Sequence, residues 1–149
     1  MMSTVVLRRS WAADLNTETL YRLLKLRVEV FVVEQKCAYP ELDGKDLLPE
    51  TRHIWLDDEG EIICTLRLRE EHDDGVKSFR IERLCTATEA RGHGYTTRVL
   101  QAALAEVGSA TVRLNAQTYL VDLYTKHGFV LDGEEYEEDG IAHVAMRRG

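Results

Sequence analysis

The passage IERLCTATEARGHGYTTRVL, Ile81 to Leu100, constrains the chain most. Phe79, Ile81, Leu84 and Cys85 read as a strand. Gly92 and Gly94 then stand one residue apart. Beyond them Tyr95, Val99, Ala102, Ala103 and Leu104 recur at helical spacing up to Val107, and Gly108 supplies a stop. Glycine is costly inside a helix, so two at its entrance mean that the backbone itself is needed there. One reading is a tight turn. The other is an anion held on the open N–H groups of the helix start, with Arg91 adding a full charge. No GK[ST] ending follows, and only GxG of a GxGxxG pattern is present, late in the chain. A nucleotide P-loop and a dinucleotide fingerprint are thereby disfavoured.

The rest of the chain reads around this unit. Val5–Leu7 is a short first strand. Asn16 or Thr17 caps a helix whose inner face is Leu20, Leu24, Val28 and Phe31, fading near Val33. A polar segment runs from Glu34 to Glu50. His53–Leu56 and Glu61–Arg69 are two strands joined by the turn Asp57–Gly60; Ile62, Cys64, Leu66 and Leu68 alternate, so one face of the second is buried. Glu70–Gly75 reads as a charged loop. Thr111–Ala116 is a further strand, and Leu120, Leu123, Tyr124 and His127 mark a last helix stopped by Gly128. Phe129–Leu131 and His143–Met146 form the arms of a closing hairpin or wide loop. The order predicts one mixed α/β (α+β) domain over residues 1–149, not a regular doubly wound array.

Composition excludes several classes. A net charge of −7 argues against nucleic acid and suits a cationic or amine partner. No apolar run approaches the ~20 residues of a membrane span, and the first residues lack the apolar core of a secretory signal. Cys37, Cys64 and Cys85 are scattered, with no CxxC, which suits reduced thiols, no structural metal and a cytoplasmic location.

Glu89 to Gly94 resembles the acyl-CoA signature of the GNAT N-acetyltransferases, [QR]xxGx[GA], which follows a strand carrying a glutamate. Glu89 departs from the usual Gln or Arg, and Thr96 stands where many members have a third glycine or another small residue. LNAQTYLVDLYTKHGF, Leu114 to Phe129, resembles that family's strand and helix ending in FYxxxGF, with Tyr124, Gly128 and Phe129 matching. LRVEVFVVEQKCAYPELDGKD, RHI and YEEDGIAHVAM are similar to the ElaA-type branch. The resemblance implies a splayed mixed sheet with helices on both faces and acyl-CoA wedged where the fourth and fifth strands part.

It also implies roles. Leu84, Cys85 and Thr86 offer backbone groups to the pantetheine arm and the thioester carbonyl. Arg91, Gly92, His93, Gly94, Tyr95, Thr96 and Thr97 cradle the pyrophosphate, and Asn115 and Gln117 bond the cofactor arm. Tyr124 is the general acid for the leaving thiolate or else a core tyrosine. Glu82 is the base working through water or else an ion-pair partner of Arg67 or Arg83. Cys85 as a nucleophile is the minor alternative to a buried strand cysteine. Glu34, Gln35, Tyr39 and Asp43 stand in the loop that covers the acceptor cleft. His53 and His143 are further acceptor-side residues, either of which is an alternative base. The acidic run Glu134–Asp139 reads as a solvated turn or an amine attractant. The expected activity is acetyl-CoA-dependent N-acetylation of a small-molecule or peptide amine, with acetyl-CoA as co-substrate, no metal, no nucleic acid and no membrane partner. Pairing into a homodimer through edge strands is compatible with the fold. The alternatives are a non-catalytic acyl-CoA-binding module and a transferase of longer acyl chains.

Overall fold

The computed structural model describes residues 4–37 and 40–149. Eight strands form one open sheet: β1 Val5–Trp11, β2 Thr51–Asp58, β3 Glu61–Asp73, β4 Val76–Thr86, β5 Val112–Gln117, β6 Val130–Leu131, β7 Tyr136–Glu138 and β8 Ile141–Arg148. Their order is β1-β2-β3-β4-β5-β8-β6, with β7 also paired to β8. All pairings are antiparallel except β4 with β5. Three α-helices among the described residues complete the fold: α1 Thr17–Arg27, α2 Tyr95–Val107 and α3 Val121–Thr125. No helix among the described residues is long and apolar enough to cross a membrane.

Asn16 is the cap of α1; its side chain accepts a hydrogen bond from the Thr19 N–H at 2.7 Å. The buried face of α1 is Leu23, Leu26 and Arg27, not the row through Leu20, Leu24 and Val28. An arginine on the inner face hid the true stripe from a hydrophobicity reading. The helical path ends at Glu34, close to the expected Val33, but its last part is not α-helical. It widens into a π-helical turn, Val28–Glu34, which buries Val30 and Phe31. Such turns are frequent at functional sites.

β3 departs most from expectation. Its alternation predicts one buried face, yet every residue from Ile62 to Arg69 is buried. Both faces are therefore covered, and both α1 and α2 pack on this strand. The charged stretch after Arg69 is not a loop: β3 runs on to Asp73, and Asp74-Gly75 turns it directly into β4. The β1 pairing likewise extends to Trp11 because each of its residues finds a partner on β2.

Two irregularities in β4 shape the site. Thr65 pairs with Cys85 but Arg67 with Glu82, so Arg83 and Leu84 together face one residue of β3. That bulge holds Arg83 at φ +55°, a left-handed conformation that L side chains rarely adopt. Second, β4 and β5 pair only at Phe79–Val112 and Arg80–Arg113. Beyond these pairs no ladder bonds join them, and the sheet opens between the fourth and fifth strands as expected.

Candidate functional site

The opening holds a cleft of about 220 Å³. β4 contributes Arg80 to Leu84; β5 contributes Leu114, Asn115 and Gln117; Phe31, Gln35 and Cys37 close it from the π-helical turn and the residues after it, Tyr124 from α3 and His143 from β8. The bulge thus places Arg83 and Leu84 at the cleft wall, where their backbone is released from regular pairing.

The glycine turn lies at the end of β4. Gly92 and Gly94 have φ +83° and +75°, so only glycine enters these conformations without strain. A Cβ on either would meet nothing within 4 Å, so the space before them is open. Gly94 starts α2, no side chain caps the helix, and no acidic residue sits in its first turn. The N–H groups of Tyr95, Thr96 and Thr97 thus open a 13-residue helix without a competing carboxylate. His93 is exposed, with its ring 5.6 Å from that of Tyr95. The Arg91 Nε donates to the Thr86 carbonyl at 3.1 Å, which ties the turn to the strand end.

Neighbouring groups fix several of these side chains. The hydroxyls of Thr86 and Thr96 bond each other at 2.8 Å, and Thr86 also meets the Cys64 sulfur, so these groups cross-link β4 to α2. Cys85 is buried, and burial pushes its thiol well above the ordinary range. A protonated, enclosed thiol is no nucleophile. Glu34 lies beside the glycine turn: Arg91 donates two bonds to its carboxylate, at 2.6 and 2.7 Å, and Thr88 a third. Gln35 does line the cleft, joined to Gln117 by a reciprocal amide pair at 2.9 and 3.2 Å. Asn115 is exposed at the cleft. Tyr39 lies outside the described residues.

His53 is not at the cleft. It is 1% exposed, its Nε2 meets the Asp46 carbonyl at 3.0 Å, and burial lowers its proton affinity. It supports an ion-pair lattice that the sequence did not reveal. Arg27 binds Glu41 and Asp46; Arg67 binds Asp43, Asp46 and Glu82; Arg69 binds Glu82; Arg83 binds Glu41 and Asp43. Asp43 therefore answers two arginines instead of a substrate. Glu82 lines the cleft, but Arg67 and Arg69 hold its carboxylate at 2.6 to 2.8 Å. Against the cost of burial, those two guanidiniums lower its pKa to about 2. A carboxylate so stabilised is a poor proton acceptor. The geometry therefore favours the ion-pair reading of Glu82 over the base reading.

Tyr124 is 4% exposed, with its ring edge-on to Phe129 at 5.7 Å. Burial pushes its phenol above the ordinary value. It lines the cleft, and its hydroxyl has no hydrogen-bond partner among the described residues. The acidic run is in part a strand: β7 pairs with β8, and Glu138 and Asp139 stand at the cleft edge without an ion pair among the described residues. No group of three or more metal-ligating side chains occurs among the described residues.

Residues 14–148 match the model of the acetyltransferase (GNAT) domain family. The chain is 62% identical over 146 residues to a UPF0039 protein of Mycobacterium tuberculosis, covering 97% of this chain and 94% of that one. Among solved structures, an acyl-CoA N-acyltransferase from Pseudomonas aeruginosa is 40% identical with a TM-score of 0.86, over 97% of this chain and 99% of that one. ElaA of Escherichia coli is 32% identical with a TM-score of 0.88 over the same shares.

Proposed function

The chain belongs to the GNAT acetyltransferase family, in its ElaA-type branch, and from that premise we propose that it moves an acetyl group from acetyl-CoA to a primary amine. The observation that carries the reading is the uncapped, glycine-led start of α2 beside a splayed sheet whose cleft contains Tyr124, without a hydrogen-bond partner among the described residues. The pyrophosphate sits on the first-turn N–H groups of α2, from Gly92 to Thr97, beside Arg91. The pantetheine arm takes the strand edge opened between β4 and β5, meeting Leu84, Cys85, Thr86 and Asn115. Backbone N–H groups at the bulge receive the carbonyl oxygen as it gains charge. The amine, once neutral, attacks the thioester carbon; Tyr124 gives the leaving sulfur its proton. The acceptor is a small molecule or peptide amine.

Calorimetry with acetyl-CoA, followed by thiol release over a panel of amines, tests this. Binding with turnover is expected, and Tyr124→Phe should lower kcat by roughly 10²-fold while leaving the donor's KM unchanged. Absence of acetyl-CoA binding removes the reading. Binding without turnover on any amine makes the protein a non-catalytic acyl-CoA module. A preference for longer acyl-CoAs in the same assay changes the donor.

A further inference from the structure

An amine held near neutral pH is an ammonium, and it must lose a proton before it can attack. Most ionisable groups at the cleft are engaged. Glu82 answers two arginines, Arg83 binds Glu41 and Asp43, and Arg80 binds Glu71 at 3.0 Å. Burial pushes the Cys37 thiol up. Tyr124 is held protonated. His143 remains. Its Nδ1 lies 2.8 Å from the Ile141 carbonyl. A carbonyl oxygen only accepts, so Nδ1 carries the hydrogen, and the lone pair of the neutral ring is on Nε2. Nε2 has no partner among the described residues. The ring is stacked on Tyr136 of β7, centroids 5.7 Å apart and planes 22° from parallel. Its strand position is fixed opposite Gln117, a cleft residue of β5.

We propose that His143 is the catalytic base, taking the ammonium proton on Nε2. The inference rests on the acyl-transfer reading of the same cleft. The ammonium gives one proton to Nε2, and its nitrogen lone pair forms the C–N bond to the thioester carbonyl. The C–S bond then breaks, and sulfur takes the electron pair and the proton of Tyr124. The phenolate regains a proton from the amide nitrogen as it neutralises. The imidazolium releases its proton to solvent, so one proton leaves per turnover. Glu138 and Asp139 at the cleft edge, with Tyr136 behind the ring, stabilise both the incoming ammonium and the imidazolium. Arg80 and Arg83 on β4 oppose this, but each already carries a carboxylate. The bound carboxyl of Glu82, Cys37 and Tyr124 are the other ionisable groups lining the cleft among the described residues.

Nitrogen-15 NMR of the ring nitrogens in the full chain, assigned with His143→Gln, reads the proton directly. Expected are the Nδ1–H tautomer and a shift of the Nε2 signal on adding acetyl-CoA. With acetyl-CoA and 1-aminopropane as probes, His143→Gln should lower kcat roughly 10²- to 10³-fold at neutral pH with the donor's KM unchanged. The deficit should shrink as pH rises toward the amine's own pKa, about 10. An Nε2–H tautomer, or a deficit independent of pH, overturns the assignment even where acetyl-CoA binds normally. Failure of the unaltered protein to bind acetyl-CoA is a separate result; it removes the donor reading on which the assignment rests.

Discussion

The two faces of β3 are buried by opposite means. On one, Cys64, Leu66 and Leu68 form an apolar layer, and Cys64 reaches α2 through Thr86 and Thr96. On the other, Thr65, Arg67 and Arg69 lie equally deep, under a loop that brings Glu41, Asp43 and Asp46 from beyond α1. Four arginines (27, 67, 69 and 83) meet four carboxylates (41, 43, 46 and 82) there, so the lattice is formally neutral. Apolar contact is non-directional and tolerates exchange of like volumes. An ionic lattice is directional, and each member left without its partner is a buried charge. The apolar face carries α2 and its glycine turn; the ionic face holds Glu82 and Arg83 at the cleft wall.

The sharpest way to break this comparison is one substitution type on both faces. Arg67→Met leaves Asp43, Asp46 and Glu82 short of a partner and should cost about 3–5 kcal/mol in urea unfolding. Leu68→Met, a neighbour on the opposite face, conserves volume and should cost less than about 1.5 kcal/mol. Equal losses would mean that the lattice is no more demanding than the apolar layer.

Acid attacks only one face. The folded pKa of Glu82 is depressed from 4.5 to about 2, so its contribution is fully present above pH 4.5 and is lost as pH falls toward 2. Asp43 and Asp46 are lowered for the same reason, by Arg67 and Arg27, and act in the same direction. Unfolding free energy should be flat in this respect from pH 7 to 5, then fall by on the order of 2 kcal/mol for Glu82 alone, discounted for its partial exposure. Glu82→Gln should remove part of that acid dependence. A stability curve unchanged by it would sink the assignment.

The same contrast decides what was legible in the sequence. The donor turn is local: a strand, Arg91, two glycines and an apolar helical stripe within some twenty residues, whose spacing maps directly onto backbone geometry. The element order was legible for the same reason. The lattice is not local. Arg27 lies 40 residues from Arg67 and stands in a stripe where hydrophobicity expects leucine, so the inner face of α1 was misread. Arg67 and Arg69 alternate with apolar residues and look solvent-facing until the covering loop is placed. Glu34 was read on the acceptor side, and Glu82 stayed open between base and ion-pair partner, because a carboxylate's role depends on which guanidinium reaches it, and both partners are distant in sequence. The nearest available signal was the number of arginines and carboxylates crowded into Arg27–Asp46 and Arg67–Arg83.

On the donor side, Gly94→Ala should separate binding from folding. At φ +75° an alanine costs roughly 1–2 kcal/mol, and its Cβ occupies the open space before the first turn of α2. Stability should fall by about that amount, while acetyl-CoA affinity falls further than the same strain explains, by roughly tenfold in calorimetry. If affinity survives, the space before Gly94 is not where the anion sits, and the turn serves only the chain reversal.

The smallest effect tests whether the two sides communicate. Arg91 is already bound by Glu34, at the end of the π-helical turn, and Gln35 beside it bonds Gln117 inside the cleft. The pair is well exposed, so it adds little to stability, and Glu34→Ala should leave unfolding within about 0.5 kcal/mol of the parent. Its effect belongs to binding. A pyrophosphate approaching the glycine turn must share or displace the carboxylate that holds Arg91. Removing Glu34 frees the fork and should tighten acetyl-CoA by roughly two- to fivefold, the range of about 0.4–1 kcal/mol that an exposed pair represents. The gain should shrink in high salt, which weakens the competing pair and the phosphate contact together. Weaker binding in Glu34→Ala reverses the interpretation: Glu34 then aims Arg91 at the donor instead of competing for it, and the end of α1 is a fixed part of the donor site.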